Sequence, residues 1–333
     1  MTEPQTDSKE YSTPAPVSAE GRRFDQVLVD LFPEYSRSRL KEWILNGHAR
    51  LQGACVKPRT TVQAGQQISL RPQLEEQGDD RPEDIPLDLV YSDADLLVIN
   101  KPAGLVVHPG AGNRQGTLLN GLLHLAPELA ALPRAGIVHR LDKDTSGLMV
   151  VARSLRAHTH LVRQLQARSV AREYQAIAIG HLVAGGTVDA PIGRHRQQRK
   201  RMAVVADGRE AITHYRVLHR YPAHTHIQCH LETGRTHQIR VHMAHLRHPL
   251  LGDPVYGGRL QLPRAASPAL IDALRGFRRQ ALHACRLELI HPASDAAMAW
   301  EAPLPEDMQE LLRILQQDKA AQSESINTPG HAP

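Results

Sequence analysis

A run of acidic residues and prolines between Leu74 and Pro86 most constrains the fold, because it divides the chain into two parts. The run holds six Asp and Glu residues against one arginine, Arg81. Like charges at this density repel one another and keep the backbone extended. We therefore predict a flexible linker over residues 74–86, between a small domain over residues 19–73 and a larger domain over residues 87–317.

The two ends of the chain differ from these domains in composition. Residues 1–18 and residues 318–333 carry too few apolar side chains to form a core, so we predict that both are disordered tails. The N-terminal segment lacks the apolar core of a secretory signal, and no apolar stretch is long enough to cross a bilayer. These features predict a cytoplasmic protein with no membrane partner, and a monomer is the default expectation.

Cysteine content and charge exclude some classes of protein and favour others. Cys55, Cys229 and Cys285 form no CxxC pair, which argues against a disulfide framework or a thiolate zinc site. A net charge of +5 and a pI near 9.2 favour a polyanionic partner. Because only 4% of the residues are aromatic, we expect affinity for a nucleic acid to come mainly from phosphate contacts.

Apolar side chains in the small domain predict two short helices followed by β segments. The first helix has its apolar stripe between Phe24 and Phe32, and the second begins at an N-cap, Ser36, and ends at Gly47. The predicted extended segments are Ala49–Leu51, Ala54–Val56 and Gln66–Leu70. Basic residues outnumber acidic ones nine to five over residues 20–72, and three of them crowd the start of the second helix: Arg37, Arg39 and Lys41.

This pattern resembles an S4 domain, a small helix-helix-strand module that binds RNA. The resemblance is carried by residues 23–25 (Arg-Phe-Asp) and by the segment over residues 36–53. It implies that Arg37, Arg39 and Lys41 contact RNA, although a solvated charged helix face would have the same composition. At the expected hairpin turn the chain has Gln-Gly at 52–53, where Asn-Gly would be the stronger signal.

The larger domain mixes short β segments with helices that do not alternate regularly. This order predicts an α+β fold with a mixed, largely antiparallel sheet rather than a doubly wound fold. The predicted strands are Leu87–Tyr91, Leu96–Asn100, Gly147–Ala152, Tyr174–Ile179, Thr213–Leu218 and Thr225–Glu232. The predicted helices are Ala157–Ala167, Gln238–Leu246 and Glu306–Gln317.

Three segments of the larger domain are richer in polar residues than a core requires. The first runs from Ala135 to Gly147 and leads directly into a predicted strand, as is typical of a loop held at a cleft. The second, Val170–Ala176, places Tyr174 at the mouth of another strand. The third, Glu232–His242, interrupts a strand and begins a helix whose N-terminal amides favour an anion.

Taken in order, these segments resemble the pseudouridine synthases, a family that includes ribosomal large-subunit enzymes. The shared pattern is His-Arg-Leu-Asp at 139–142, a Thr-Ser-Gly turn at 145–147, a tyrosine at 174, and Gly-Arg-Thr-His-Gln-Ile-Arg-Val-His at 234–242. Further matches lie within residues 249–258 and 279–284, so that the resemblance covers nearly the whole chain from Gly21 to Leu315. His-Arg-Leu-Asp alone would be a weak signal, whereas the ordered set is specific.

The resemblance implies a reaction in which uracil is detached from C1′ of its ribose, turned, and rejoined through C5. Asp142 matches the nucleophile, and Arg240 matches the arginine that keeps this carboxylate ionised. Tyr174 matches the residue that packs on uracil and handles the C5 proton, and Arg140 matches the one that fills the gap left by the flipped base. The other expected RNA contacts are His139, Thr145, Arg235, His237, Ile239, Arg199 and Lys200.

The implied partner is ribosomal RNA, in the large subunit or in its assembly intermediate. The implied targets are several uridines in the loop of helix 69 of 23S rRNA, with another rRNA site or a tRNA as the alternative. A loop is a favourable target because extruding a base costs least where it is unpaired. Beside the site, the basic cluster over residues 194–201 is either a phosphate-binding loop or a solvated one.

The sequence favours three other functions less strongly. The 20 histidines, with His242, His245 and His248 at helical spacing, suggest a metal-dependent hydrolase, but no HExxH is present and nearby arginines oppose a cation. A non-catalytic ribosome-binding factor would not need the long polar segments of the larger domain. The glycines over residues 110–117 lack the lysine of a P-loop. We expect no cofactor and no metal, because the isomerisation needs neither a redox step nor a group donor.

Overall fold

The computed structural model describes residues 10–33, 35, 37–72, 81–110, 112–198 and 201–327. The chain divides into two compact units, Met1–Asp79 and Asp80–Pro333, and the boundary between them falls inside the predicted linker. No helix within the described ranges combines the length and the apolar content that a membrane span requires.

The N-terminal unit packs two short helices against a three-stranded antiparallel sheet. Its core contains side chains from both helices and from the sheet, including Phe24, Leu40, Trp43 and Ile68. The strands lie in the order β1-β3-β2. The elements are β1 (Tyr11–Pro14), α1 (Phe24–Leu31), α2 (Arg37–Leu45), β2 (Ala49–Leu51) and β3 (Gln67–Leu70).

The predicted N-terminal tail is wrong for part of its length, because β1 pairs antiparallel with β3. The Tyr11 ring packs edge-on against Phe32 with the centroids 5.8 Å apart, and Ala15 and Ala19 are buried. Four residues that alternate inward and outward suffice to extend an existing sheet. A segment this short hardly changes the apolar content of residues 1–18, so composition does not reveal it. The N-cap predicted at Ser36 lies outside the described residues.

The hairpin turn after β2 forms with Gln-Gly in place of Asn-Gly. Gln52 and Gly53 both have positive φ, 51° and 73°, as a type I′ turn requires. The predicted strand Ala54–Val56 is reduced to a single bridge between Leu51 and Ala54.

The strands of the larger unit are β4 (Leu89–Ser92), β5 (Leu96–Lys101), β6 (Ser146–Ala152), β7 (Ala171–Ile179), β8 (Gly186–Asp189), β9 (Ile192–Arg194), β10 (Met202–Val204), β11 (Ile212–Arg220), β12 (His224–Leu231), β13 (Leu282–Ile290) and β14 (Ala297–Glu301). Its helices are α3 (Leu118–Leu125), α4 (Leu155–Gln166), α5 (Gln238–His245), α6 (Pro268–Gly276) and α7 (Glu306–Asn327).

Nine of these strands form one mixed sheet in the order β4-β5-β6-β13-β7-β12-β11-β8, with β14 pairing with β13. Strands β9 and β10 form a separate antiparallel pair. Every pair within the nine-stranded sheet is antiparallel except β6 with β13, which confirms the predicted α+β class.

Strand β6 is buried on both faces, and this explains its continuous apolar sequence. Met149 and Val151 point into one core, whereas Leu148 and Val150 point into another, which α4 covers. At its start the strand runs so close to β13 that a Cβ on Gly147 would overlap the Ala284 backbone. The loop before β6 is therefore held by a rigid strand.

The second half of the predicted linker is not flexible. The Glu83 amide donates to the Asn120 carbonyl at 3.1 Å, and the Glu83 carboxylate accepts from the Gly116 amide. The Asn120 side chain donates to the Arg81 carbonyl, and Ile85 packs against Gly121 of α3. These contacts hold the segment from residue 81 onward on the larger unit, despite its charge, because its acids and backbone have partners there.

The predicted C-terminal tail is also wrong at its start, because α7 continues through Asp318 to Asn327. Asp318 is 4% exposed, and its carboxylate accepts from the Ser267 amide at 2.7 Å. Lys319 donates to the Arg220 carbonyl. Polar side chains with partners elsewhere in the unit extend a helix that composition alone would end.

Candidate active site

A cavity of about 880 Å³ opens in the larger unit where the three polar segments meet. The loop before β6, the start of β7 and the loop before α5 all line it. These segments are distant in sequence and adjacent in the fold. Nine of the predicted site residues line the cavity: His139, Arg140, Asp142, Thr145, Tyr174, Arg235, His237, Ile239 and Arg240.

The loop that carries Asp142 is anchored from beneath. Thr145 donates its amide to the Asp142 carbonyl at 3.1 Å, and its buried hydroxyl accepts from the Gln280 side chain at 3.0 Å. Leu141, beside the aspartate, is buried in the core. Thr145 therefore shapes the loop, and its hydroxyl is already occupied.

A buried lysine, which the sequence analysis did not single out, supports the same loop. Lys101 donates to the carbonyl oxygens of Pro102, Leu105 and Lys143 at 2.7, 3.0 and 2.9 Å. Burial lowers its pKa to about 8, although the charges of Asp144 and Asp142 act in the opposite direction. The lysine is therefore protonated near neutral pH, and its three hydrogen bonds hold the loop.

Asp142 forms an ion pair with Arg240, which lies 98 residues further along the chain. The Nη1 of Arg240 is 2.8 Å from Oδ2 of Asp142, and their side chains are 5% and 16% exposed. The remaining guanidinium donors bind the fully buried carboxylate of Asp253, Nε at 2.7 Å and Nη2 at 2.9 Å. Asp253 thereby locks Arg240 in one orientation, in which the arginine presents a charged donor to Asp142.

The two buried members of this cluster stay charged. Burial acts to lower the pKa of Arg240, but its hydrogen bonds and ion pairs with Asp253 and Asp142 raise it above its ordinary value. Burial acts to raise the pKa of Asp253, but the hydrogen bonds and charge of Arg240 and the amides of Tyr256 and Val255 hold it below its ordinary value. A permanently cationic group therefore faces Asp142.

His237 stands on the other side of the Asp142 carboxylate, with Nε2 3.7 Å from Oδ1. Its backbone adopts a left-handed conformation, φ 58°, immediately before α5. The Tyr256 hydroxyl accepts from the Met202 amide and lies 2.9 Å from Nδ1 of His237, so it is placed to donate to that nitrogen. Burial lowers the pKa of His237 although Asp142 acts to raise it, which favours a neutral ring with its proton on Nε2.

Tyr174 lies on β7 between Cys229 of β12 and Ala284 of β13. Its ring is buried in the core beneath the cavity, and its hydroxyl makes no hydrogen bond to any residue that the structure describes. Burial raises its pKa, and the charge of Arg172 acts in the opposite direction. The phenol is therefore neutral near pH 7 and free to contact a ligand.

The remaining predicted RNA contacts in the cavity differ in whether their side chains are free to bind a ligand. His139 accepts from the Val150 amide at 3.0 Å, and burial lowers its pKa to about 3, so the ring is neutral and structural. Arg235 donates to the Glu210 carbonyl, and Ile239 packs in the core. Arg140 is exposed and makes no hydrogen bond within the described part of the chain.

The basic residues predicted in the N-terminal unit are only partly described. Arg37 donates to Asp25 at 3.0 Å and keeps 59% of its side chain exposed, and Lys41 is exposed. The side chain of Arg39 lies outside the described part of the structure. Arg199 and Lys200 of the larger unit, within the basic cluster, also lie outside it.

Two of the three histidines that suggested a metal site bond to groups of the protein instead. His242 is fully buried, and its two ring nitrogens lie 2.9 Å from the Thr213 hydroxyl and the Ala190 carbonyl. His248 bonds to the Ile179 carbonyl. Among the described residues, no group of three His, Cys, Asp or Glu is arranged to hold a metal ion.

Comparison with known proteins gives two family matches. A family described as RNA pseudouridylate synthase matches residues 95–245, which include the Asp142 loop, Tyr174 and Arg240. A family described as S4 domain matches residues 22–68. The two matches fall in the two compact units.

Curated relatives are similar over nearly the whole chain. A protein of Xanthomonas campestris pv. campestris is 58% identical over 96% of this chain and 96% of its own length. One of Pseudomonas aeruginosa is 57% identical over 95% of this chain and 99% of its own length. One of Escherichia coli is 56% identical over 90% of this chain and 92% of its own length. Each is named ribosomal large subunit pseudouridine synthase D.

Solved structures share the fold of the larger part of the chain. Human RNA pseudouridylate synthase domain containing 4 aligns with a TM-score of 0.54 at 28% identity, covering 69% of this chain and 93% of that one. Human RNA pseudouridylate synthase domain containing 1 aligns with a TM-score of 0.52 at 24% identity, covering 70% and 96%.

Proposed function

This chain belongs to the pseudouridine synthase family, and we propose that it isomerises uridine to pseudouridine in large-subunit (23S) ribosomal RNA. The proposed targets are several uridines in the loop of helix 69; another rRNA site or a tRNA is the alternative. The names of the relatives support a ribosomal substrate, and the basic charge suits an RNA partner. We further propose that the enzyme acts as a monomer in the cytoplasm.

One observation carries the proposal: an aspartate in the wall of the cavity is paired with an arginine that is itself locked by a second, buried aspartate. A carboxylate attacks a nucleoside only in its ionised form. The Nη1 of Arg240 donates to Oδ2 of Asp142 and leaves Oδ1 free of the arginine. The same pairing orients the nucleophile without covering it.

The other side chains divide the remaining work. A target uridine enters the cavity after extrusion from the RNA, at a cost of a few kcal/mol, and the exposed Arg140 fills the place it leaves. Asp142 attacks the nucleoside or assists loss of uracil from C1′. We assign to Tyr174 the packing on the base and the handling of the C5 proton after C5 has bonded to C1′. In the N-terminal unit, Arg37, Arg39 and Lys41 bind backbone phosphates.

The test compares Asp142→Asn with Asp144→Asn, which makes the same charge change two residues away. Release of tritium from RNA labelled at uridine C5 measures turnover, and pseudouridine mapping of rRNA from cells carrying either variant identifies the sites. Asp142→Asn should lose at least about 10⁴-fold in turnover and keep its RNA affinity, whereas Asp144→Asn should stay active. Turnover by Asp142→Asn at the wild-type rate would overturn the nucleophile, and unchanged modification of helix 69 without the protein would overturn the target.

A further inference from the structure

Arg172 is a buried guanidinium in the cavity that the proposed mechanism does not use. The residue is 8% exposed, and no carboxylate pairs with it among the described residues. Its Nε is fully buried and has no hydrogen-bond partner in the described part of the chain. Arginine is rarely buried without a partner, because the loss of hydration is costly. A group that remains unsatisfied at the edge of a functional cavity therefore points to a ligand.

The strand geometry places this guanidinium beside Tyr174. Residues two apart on a strand face the same side, and on β7 Arg172, Tyr174 and Ala176 alternate with less buried neighbours. The charge of Arg172 acts on two groups of the cavity: it adds to the effect of burial in lowering the pKa of His139, and it opposes burial at Tyr174. The arginine and the tyrosine thus face the same space.

The loop that carries Gly234 lies close to one side of the guanidinium. A Cβ on Gly234 would lie 2.8 Å from Nη1 of Arg172. Gly234 belongs to the third polar segment, and its lack of a side chain leaves space for this end of the guanidinium. Even an alanine at this position would push the guanidinium aside.

Two ligand groups suit an arginine here, a backbone phosphate or the edge of the base. Arg134, Arg140 and Arg168 line the cavity and are exposed, so they can meet phosphates without being desolvated. Arg172 is buried next to the tyrosine that is proposed to pack on uracil. A bulky, strongly hydrated phosphodiester suits the exposed arginines, whereas the flat edge of a base suits the buried one.

The chemistry of the isomerisation supplies a reason for a cation at that edge. When the bond between N1 and C1′ breaks, its electron pair leaves with the base and spreads over N1, O2 and O4. C5 then bonds to C1′, the C5 proton is released to water, and N1 takes up a proton from water, so that atoms and charge balance. A donor that is already in place where this negative charge develops lowers the barrier.

We propose that Arg172 is a catalytic residue that binds a uracil carbonyl oxygen through its guanidinium and stabilises the negative charge of the detached base. The inference rests on the proposed function, because it requires uridine in this cavity. It makes the arginine important for the chemical step and of little importance for holding the RNA.

The test uses the full-length protein and short RNAs with uridine, 2-thiouridine or 4-thiouridine at the target, since sulfur accepts hydrogen bonds more weakly than oxygen. Arg172→Gln should lower kcat about 10²-fold while Kd for the RNA changes less than about threefold. Arg172→Lys should recover part of the loss, and Gly234→Ala should lower kcat with Arg172 intact. Arg313→Gln, on the exposed face of α7, is the matched control and should behave as wild type.

The thio substitutions identify the contact. Wild-type enzyme should be slowed about 10-fold further by sulfur at the contacted oxygen, and Arg172→Gln should not, because coupled groups give non-additive effects. Three outcomes would overturn the inference: a normal kcat, a raised Kd with a salt dependence lower by about one charge, as a phosphate contact predicts, or an equal thio penalty in both enzymes. None of these affects the proposed function, which stands or falls on Asp142→Asn.

Discussion

Both units of the molecule hold arginines against a buried aspartate, and the two clusters differ in their exposure to solvent. In the N-terminal unit, Asp25 is 2% exposed and binds Arg23 and Arg37, whose side chains remain 40% and 59% exposed. In the larger unit, Asp253 binds Arg240, which is only 5% exposed. Asp25 therefore holds guanidinium groups that remain in contact with water, whereas Asp253 holds a guanidinium that is shielded from water.

The difference teaches what each cluster can do. Exposed guanidinium groups can exchange water and counterions for phosphate, so their contribution to binding depends on salt. A buried guanidinium acts at short range in a medium of low dielectric constant, where one charge strongly affects another. The same Asp–Arg chemistry therefore suits RNA attachment in one unit and orientation of a nucleophile in the other.

The largest effect is expected from Arg240→Ala, because it removes the shared partner of Asp142 and Asp253. Turnover should fall about 10²–10³-fold, and the free energy of unfolding should fall by about 3–5 kcal/mol, since Asp253 would be left as an unpaired buried charge. Tritium release and urea unfolding measure the two effects. Arg313→Ala, which breaks an exposed pair with Glu310, should change neither. If Arg240→Ala retained wild-type turnover, the buried cluster would not serve to orient the nucleophile.

A smaller effect is expected when each aspartate is replaced by asparagine. Asp253→Asn should lower the stability of its unit by about 3–5 kcal/mol at pH 7, and Asp25→Asn by about 1–2 kcal/mol, because its arginines stay hydrated. The chain has two tryptophans, Trp43 and Trp300, one in each unit. Fluorescence of Trp43→Phe and Trp300→Phe backgrounds therefore follows each unit separately. Equal losses would contradict the difference in burial.

The pH dependence of these variants has a defined sign. Burial acts to raise the pKa of Asp25, but its arginine partners hold it below the ordinary value, as Arg240 does for Asp253. Such a group contributes stability above its unfolded-state pKa, about 3.9, and loses that contribution as the pH falls through its lower folded-state pKa. Wild-type and Asp253→Asn stabilities should therefore converge below about pH 4.

The smallest effect is expected from Arg37→Gln in the N-terminal unit. The affinity for RNA should fall a few-fold and the slope of log K against log salt should decrease by about one, as for loss of one phosphate contact. Turnover at saturating RNA should not change. Asp25→Asn keeps both arginines, so its salt slope should match that of wild type. A slope unaffected by Arg37→Gln would show that the arginine does not meet a phosphate.

Much of the fold could be predicted because its signals are local. Strand β6 is a continuous apolar run, and the two N-terminal helices carry apolar stripes that pack on one core. Helix α3 is not predicted from the sequence because Gly121 lowers helix propensity. The structure shows that Ile85 packs against this glycine, where a side chain would be crowded. Strand β13 was missed because it includes the charged residues Arg286 and Glu288 and owes its central place to distant partners.

In the candidate site, too, residues in local motifs were predictable, whereas residues that matter through distant contacts were not. Asp142, Tyr174 and Arg240 were predicted by resemblance of three ordered segments, and the structure brings them to one cavity. Asp253 was not predicted as a site residue, since its importance comes only from the guanidinium that it holds. The spacing of two between Arg172 and Tyr174 on a strand indicates that both face the same side, but spacing alone does not show that the arginine lacks a partner.

The amino-acid sequence alone determined the division into two units, the α+β class and the order of the polar segments, because periodicity, composition and motif order are properties of neighbouring residues. Only the tertiary structure decided that Asp142 meets Arg240 across 98 residues, that Asp253 locks this arginine, and that the buried Nε of Arg172 has no hydrogen-bond partner among the described residues. These contacts depend on strand order, with β13 between β6 and β7. Distances between remote side chains, and hence the electrostatics of a site, are set by packing, which no local pattern encodes.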